Sequence, residues 1–152
     1  MTQTRIRTPD VVELPALSEL CLRSKAVWGY DADFMAACRG ELTLHPDDLL
    51  SSQIAVAERA GTRVGVVQVR LIGQEADLVK LFVEPGVLRG GIGKMLLAWA
   101  IDAARSMGAT RLIIEADPDA APFYRRLGAR DAGLAPSGSI AGRMLPKLVL
   151  DL

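Results

Sequence analysis

Apolar and polar residues follow two different patterns along the chain, and each pattern predicts one kind of element. Helical spacing of apolar residues first covers the segment from Val12 to Ala26, in which Ala16 and Leu20 continue the same face. Runs rich in β-branched residues predict strands, three of which are joined by short turns at Gly61 and Gly73. The predicted helices lie near residues 12–26, 34–38, 46–50, 93–107 and 120–127. The predicted strands lie at residues 4–7, 54–58, 64–71, 76–83 and 111–115, from about 130, and at 144–150.

The order of these elements predicts a mixed α/β fold. The strand at 111–115 follows the strand at 76–83 through a long helix, so the two should be parallel with a right-handed connection. The three strands before that helix form an antiparallel meander. We therefore expect one domain over residues 1–152, of the α/β (α+β mixed) class. It should contain a mostly antiparallel twisted sheet, one central parallel βαβ unit and helices on both faces.

Composition argues against several classes of function. Lys and Arg together number 18 and so do Asp and Glu, so the chain lacks the basic excess typical of nucleic-acid binding. Cys21 and Cys38 do not form a C-x-x-C pair, and His45 is the one histidine, so we expect no metal site. No apolar run approaches the roughly 18 residues of a membrane span, and the N-terminus lacks a signal pattern. We expect a cytoplasmic protein with neither a membrane nor a nucleic-acid partner.

A glycine-rich stretch between a strand and a helix is the candidate for binding chemistry. The strand ends at Pro85, and Gly90, Gly91 and Gly93 precede the helix, where they allow tight or left-handed turns. A helix that begins on such a turn presents unpaired N–H groups and the positive end of its dipole. The segment Arg89–Lys94, with a basic side chain at each end, therefore predicts a diphosphate site.

Two other phosphate motifs do not fit this stretch. A Walker A loop would need glycine at Leu88 and Ser or Thr at Met95. A dinucleotide fingerprint would need a third glycine at Leu96. A glycine turn that serves packing alone stays open as an alternative.

Two motifs in this sequence resemble those of the GNAT superfamily of N-acetyltransferases. The family's acetyl-CoA pyrophosphate loop has Gln or Arg, two free positions, Gly, one free position, then Gly or Ala. Leu88 to Gly93 matches both glycines and departs at Leu88. The second motif, an alanine before Phe-Tyr and a following glycine, is matched by Ala120 to Gly128, about 30 residues on. Asp117 stands where the family often has asparagine.

The resemblance implies acetyl-CoA as cosubstrate, with no metal. The strands on either side of the loop and its helix would splay apart and admit the pantetheine arm. Direct attack by an amine would follow, with a backbone N–H stabilising the oxyanion and Tyr124 as general acid toward the CoA thiolate. A hydrogen-bonded, half-buried aromatic is the alternative for Tyr124. The implied cofactor-binding residues are Phe82, Val83, Arg89, Gly90, Gly91, Ile92, Gly93, Lys94, Asp117, Phe123 and Tyr124.

The general base is less evident than the acid. Glu115 closes the strand beside the expected crevice and is our candidate. Each acid near the central strands could equally be a solvated charge, and a water chain could carry the proton instead. The other acids are Glu75, Asp77, Glu84 and Asp117.

The acceptor side should come from the first helices and a late loop of small residues. Trp28 and Tyr30 could wall an acceptor pocket or serve packing, and Arg143 could bind a substrate carboxylate or lie at the surface. The acceptor amine, a small molecule or a protein, cannot be identified from these residues. A catalytically silent acyl-CoA sensor is the rival function. The final strand, Leu148–Leu150, would seal the sheet or pair across a homodimer.

Overall fold

A computed structural model describes residues 3–87 and 91–152. The strands are β1 (Thr4–Arg7), β2 (Gln53–Arg59), β3 (Thr62–Ile72), β4 (Glu75–Val83), β5 (Arg111–Glu115), β6 (Arg130–Pro136) and β7 (Met144–Asp151). The α-helices are α1 (Leu14–Ala26), α2 (Ala32–Leu42), α3 (Asp48–Ser51), α4 (Ile92–Ser106) and α5 (Ala121–Arg126). Short 3-10 turns precede α1 at Val11–Glu13 and follow β4 at Pro85–Val87.

The strands form one sheet in the order β1-β2-β3-β4-β5-β7-β6. The β4–β5 pair is parallel and the other neighbouring pairs are antiparallel. The predicted mixed fold with a single parallel βαβ unit is confirmed. The predicted apolar face of the first helix was wrong at two positions: Val12 lies in the 3-10 turn before α1 with 82% of its surface exposed, and Ala16 of α1 is exposed as well.

Helices cover both faces of the sheet, as predicted. On one face α4 buries Ile92, Leu96 and Ala100 against β3, β4 and β5. On the other face α1 buries Leu17 and Leu20 in a second cluster with residues of α2, β2 and β3. Burial of these apolar faces is the main favourable term for the fold. Each helix layer also forms one side of the gap described below.

β4 and β5 separate part of the way along their length. Their backbone pairing covers three residue pairs and ends at Asp77 with Ile113. On its other side, β4 stays paired with β3 up to Val83, with a register shift between Lys80 and Leu78 that leaves Val79 as an extra residue. Such a bulge bends a strand and increases its twist. The open edge of β4 beyond Asp77 therefore faces a gap in the middle of the sheet.

Gly65 on β3 allows α4 to lie close to the sheet at this gap. A Cβ at Gly65 would lie 2.8 Å from Leu96 Cδ1, 3.2 Å from Ile92 Cγ2 and 3.2 Å from the Phe82 carbonyl oxygen. The carbonyl belongs to the backbone of β4 and cannot move aside without disturbing the β3–β4 ladder. The glycine therefore sets the distance between α4 and the strands beneath it.

We predict that Gly65→Ala lowers the free energy of unfolding by about 1–3 kcal/mol, because the methyl group overpacks a filled contact. Urea unfolding measures the change. The matched control is Gly40→Ala at an exposed position of α2, where nothing lies within 4 Å of the new methyl group. That control should gain about 0.5–1 kcal/mol, because alanine is the better helix residue. Equal effects of the two substitutions would contradict the close contact.

Candidate active site

A cavity of about 430 Å³ lies where β4 and β5 separate, and both helix layers contribute to its walls. We call the walls from α4, α5 and the β5–α5 connection the α4–α5 side. We call the walls from α1, α2, the turn between them, the β6–β7 connection and the face of β4 that these elements cover the α1–α2 side. The α4–α5 side includes Gly91, Gly93, Lys94, Phe123 and Tyr124. The α1–α2 side includes Lys25, Trp28, Glu41, Lys80, Ser139 and Arg143.

The N-terminus of α4 opens on the cavity. Gly91 caps the helix with a left-handed φ of 76°, and its carbonyl accepts the first helical hydrogen bond from the Met95 N–H at 3.1 Å. The N–H groups of the three residues before Met95 have no acceptor within the helix. No acidic side chain occupies the first turn at 92–95, and Lys94 is basic. The end of α4 is therefore suited to an anion.

Part of the predicted diphosphate site lies outside the described residues. Arg89 and Gly90 fall there, as does Leu88, the position that departs from the family motif. Gly91 and Gly93 line the cavity together with Lys94, and Ile92 is fully buried beneath them. The structure thus brings the second half of the predicted turn to the cavity.

Gly93 also allows a close contact between α4 and α5. A Cβ there would lie 3.1 Å from Phe123 Cζ and 3.9 Å from Val83 Cγ2. The rings of Phe123 and Tyr124 meet edge to face, with centroids 5.0 Å apart. The second predicted motif therefore packs directly on the first, and Phe82 and Val83 line the same cavity.

Tyr124 is almost completely buried on the α4–α5 side, with 6% of its surface exposed. Burial raises the pKa of its phenol, so the group keeps its proton at neutral pH. A protonated phenol in a cavity wall can donate a proton or hydrogen bond to a leaving group. Its position is compatible with the predicted role as an acid.

Of the five acids considered as a general base, Glu115 and Asp117 line the cavity. Glu115 is exposed at the end of β5. Glu84 instead accepts two hydrogen bonds from Arg23 on α1, at 2.8 and 2.7 Å, which lower its pKa. Asp77 lies at the last β4–β5 pair, where burial raises its pKa. Of the two candidates in the cavity wall, Glu115 lies outside the polar cluster around Asp117 that is described below.

Asp117 lies at the centre of a polar cluster that joins four segments of the chain. Tyr30 donates its hydroxyl hydrogen to Asp117 Oδ2 at 2.5 Å, and Arg143 Nη2 donates to the Tyr30 oxygen at 2.7 Å. Lys25 Nζ and Arg143 Nη2 each lie 3.5 Å from the same carboxylate oxygen. Tyr30 stacks on Phe34 with centroids 4.0 Å apart. Asp117 thus connects α1 and α2 to the connection between β6 and β7.

The carboxylate of Asp117 stays ionised in this cluster. Burial by itself would raise its pKa, but the hydrogen bonds from Tyr30 and from the Asp119 N–H, with the charges of Lys25 and Arg143, lower it overall. Burial, together with the bond to Asp117, raises the pKa of Tyr30 to about 12. The cluster is therefore a neutral phenol between a carboxylate and two cations at neutral pH.

Two of the three residues predicted for the acceptor side lie in the cavity wall and the third does not. Trp28 and Arg143 line the cavity, whereas Tyr30 is not in its wall and acts through its hydroxyl in the cluster. The Arg143 guanidinium also lies over the Tyr30 ring, 5.1 Å from its centroid. Sequence reasoning missed Lys25 and Lys80. For Lys80, a charged residue within the apolar run of β4 could have indicated a position in the site.

A second contact joins α2 to the β6–β7 connection. Ser139 donates its hydroxyl hydrogen to Glu41 of α2, and a Cβ at Gly138 would lie 3.2 Å from the same carboxylate. Ser139 and Glu41 line the cavity, and so does Ser137. The late loop of small residues, predicted to be a pocket rim, therefore lies against α2 at the cavity.

Comparison with known proteins agrees with this geometry. Residues 22–129 match the acetyltransferase (GNAT) family, and the chain belongs to that family. No curated protein sequence is matched significantly. The prediction of an N-acetyltransferase is confirmed by this membership. The family match ends before the β6–β7 connection, so it includes Asp117 and the motif around Tyr124 but not Arg143.

Solved structures share the fold over almost the whole chain. The PaiA N-acetyltransferase of Thermoplasma acidophilum, in complex with coenzyme A, is 17% identical, with a TM-score of 0.79 and 99% of each chain covered. YncA of Salmonella typhimurium, a putative acetyltransferase with its cofactor acetyl-CoA, is 22% identical, with a TM-score of 0.69 and 98% and 94% covered. The ribosomal-protein-S18-alanine N-acetyltransferase of Escherichia coli is 20% identical, with a TM-score of 0.68 and 97% and 91% covered.

Two further observations concern the described residues only. None of their helices has the length and apolar character needed to cross a bilayer. They also contain no group of three or more His, Cys, Asp or Glu side chains placed to hold a metal ion.

We predict that Asp117→Asn lowers the free energy of unfolding by about 1–3 kcal/mol, because Lys25 and Arg143 lose their shared counter-charge in a largely buried place. The amide keeps the shape of the side chain and can still accept from Tyr30. Asp131→Asn is the control, because its ion pair with Arg125 is solvent-exposed and should contribute little. Urea unfolding of both variants measures the difference, and an equally small effect in the two would show that the cluster adds no stability.

Proposed function

We propose that this chain transfers the acetyl group of acetyl-CoA to the amine of an acceptor that enters the cavity from the α1–α2 side. The observation that carries the proposal is the open edge of β4, with the free helix N-terminus of α4 at one end of the gap and Tyr124 in its wall. The coenzyme A and acetyl-CoA bound in the related structures support the choice of cosubstrate.

The residues present fit coenzyme A in three respects. The unpaired N–H groups at Ile92, Gly93 and Lys94, with the basic Arg89 before them in the sequence, would bind the pyrophosphate. The backbone of Phe82 and Val83, unpaired on the β5 side, offers hydrogen-bonding groups to an extended arm in the manner of an added strand. Phe123 supplies an apolar wall beside it. Bound there, acetyl-CoA would supply the activated acyl group.

The reaction needs one nucleophile, one oxyanion donor and one acid. The neutral amine of the acceptor attacks the acetyl carbonyl carbon, and a backbone N–H at Phe82 or Val83 donates a hydrogen bond to the oxygen as it gains charge. The carbon–sulfur bond then breaks, and Tyr124 donates its proton to the sulfur. Glu115, directly or through water, accepts the proton that the amine loses.

The acceptor side of the proposed site is held in place by the polar cluster. Trp28, in the turn after α1, lines this part of the cavity. Asp117 holds Tyr30 and Arg143 together, so Arg143 contributes to the shape and charge of the cavity while its Nη2 is engaged. We assign Asp117 to this role at the junction of the two sides, because Oδ2 is directed at the cluster and Oδ1 accepts from the Asp119 N–H.

Two measurements together test the proposal. Calorimetry with coenzyme A measures binding, and a thiol reagent follows CoA release with amino acids, polyamines, aminoglycosides and peptides with free N-termini. We expect binding and acceptor-dependent release. Tight binding without release from any acceptor would support a silent acyl-CoA sensor instead. Absence of coenzyme A binding would refute both.

We predict that Tyr124→Phe lowers kcat by about 10²-fold or more, because the variant keeps the ring but cannot donate a proton to the thiolate. The affinity for coenzyme A should stay unchanged, since the ring still packs on Phe123. Steady-state kinetics and calorimetry measure the two quantities. A variant with full kcat would exclude the acid role without excluding acetyl transfer.

A further inference from the structure

The bulge in β4 decides which side of the sheet Lys80 faces. Before the bulge Ala76 and Leu78 pack on the α4–α5 side, whereas after it Leu81 and Val83 do so. A change of one residue in the alternation moves every later side chain to the other face. Lys80 is consequently directed to the α1–α2 side, where it forms part of the cavity wall with 6% of its surface exposed.

A chain of hydrogen bonds orients the group that contacts Lys80. Lys80 Nζ donates to Gln68 Oε1 at 3.1 Å, and Gln68 Nε2 donates to Ser52 Oγ at 2.9 Å. Ser52 in turn donates its hydroxyl hydrogen to the Asp48 carbonyl. Because the Gln68 nitrogen donates to Ser52, the Gln68 oxygen is directed toward Lys80 and accepts its hydrogen bond. Gln68 is fully buried, so this polar chain is built into the core next to the cavity.

In the parts of the chain that the structure describes, Lys80 forms no hydrogen bond or ion pair with a carboxylate, and Asp48 and Glu41 act on it through their charges alone. The nearby acids of the cavity wall are hydrogen-bonded to other groups: Asp117 contacts Tyr30, Lys25 and Arg143, and Glu41 accepts from Ser139. A buried ammonium with one neutral acceptor is unfavourable unless an anion completes its bonding. Burial accordingly lowers the pKa of Lys80, and a carboxylate against it would raise that pKa again.

We propose that the acceptor amine carries a carboxylate, and that Lys80, oriented by Gln68, binds this carboxylate on the α1–α2 side of the cavity. The inference rests on the proposed acetyl transfer and specifies its substrate class. Lys80 lies two to three residues before the backbone at Phe82 and Val83, a distance of roughly 7–10 Å along a strand. A molecule that spans this distance has its amine and carboxylate close together, as a small amino acid does, whereas a polyamine has no carboxylate.

The assignment differs from the sequence prediction for Arg143. Arg143 Nη2 already donates to Tyr30 and lies 3.5 Å from Asp117, so its charge is shared within the protein. Lys80 has one neutral partner and a position deeper in the wall. We therefore place the carboxylate at Lys80 and treat Arg143 as a positioning residue.

The test compares free amino acids with their carboxamides, which keep the amine but lose the negative charge. For the wild-type protein we expect kcat/KM from CoA release to favour the free acid by at least about tenfold. Lys80→Met should remove that preference by raising KM for the free acid about tenfold or more, with kcat and the carboxamide kinetics little changed. Arg105→Met, at an exposed position of α4, is the control and should keep the preference.

Two results would overturn the inference. One is a wild-type protein that uses acids and carboxamides equally well. The other is a Lys80→Met variant that loses kcat equally with both, with a displaced pH profile, which would mean that Lys80 handles a proton instead. If Lys80→Met does not fold, Lys80→Arg replaces it, because arginine keeps the positive charge and should keep the preference for the free acid. The comparison of acids with carboxamides on the wild-type protein can refute the inference without either variant.

A binding experiment separates this inference from the proposed function. Calorimetry on the protein saturated with coenzyme A compares a panel of N-acetyl amino acids with their carboxamides, without turnover. If the acids bind more tightly than the carboxamides and this difference depends on Lys80, the carboxylate site is supported. If at the same time no amine releases CoA, only the proposed acetyl transfer is refuted. Release of CoA from amines without any preference for acids, in binding or turnover, leaves the acetyl transfer standing and refutes the carboxylate site.

Discussion

The separation of β4 from β5 is the constraint on which the rest of the site depends. Backbone groups in a sheet interior must be paired, and a parallel pair that ends after Asp77 and Ile113 leaves those of β4 open in the centre of the molecule. The gap is kept open because β4 stays paired to β3 and bends at the bulge, while β5 is held by β7 along its whole length. The cavity, the end of α4 and Tyr124 all lie around this opening.

The two helix layers give the gap two chemically different sides. α4 and α5 contribute a helix N-terminus and a mostly apolar wall, which suit a phosphorylated ligand with an extended arm. α1 and α2 contribute charged side chains that are held by bonds across the chain, above all at Asp117. In the proposed reaction, an acyl donor on one side and an acceptor on the other would meet at the same strand edge.

Local features could be predicted from the sequence, whereas long-range ones could not. The predicted order of elements was confirmed. The turn at Gly91 and Gly93 and the motif around Tyr124 each involve neighbouring residues, so the sequence could indicate them as candidates. The side of the sheet that Lys80 faces depends on a bulge within a run of apolar residues that has no alternation to read. The cluster at Asp117 joins residues up to 118 positions apart in chain numbering, from Lys25 to Arg143, so no local pattern could indicate it.

Amide hydrogen exchange with and without acetyl-CoA tests the central claim most directly, because it reports on the backbone itself. If the open edge of β4 and the end of α4 bind the cosubstrate, saturation with acetyl-CoA should slow exchange at residues 78–83 and 91–94 by at least about tenfold. β1, at the far edge of the sheet, should not change. Protection that is uniform over the sheet, or absent from β4 while acetyl-CoA is bound, would contradict the account.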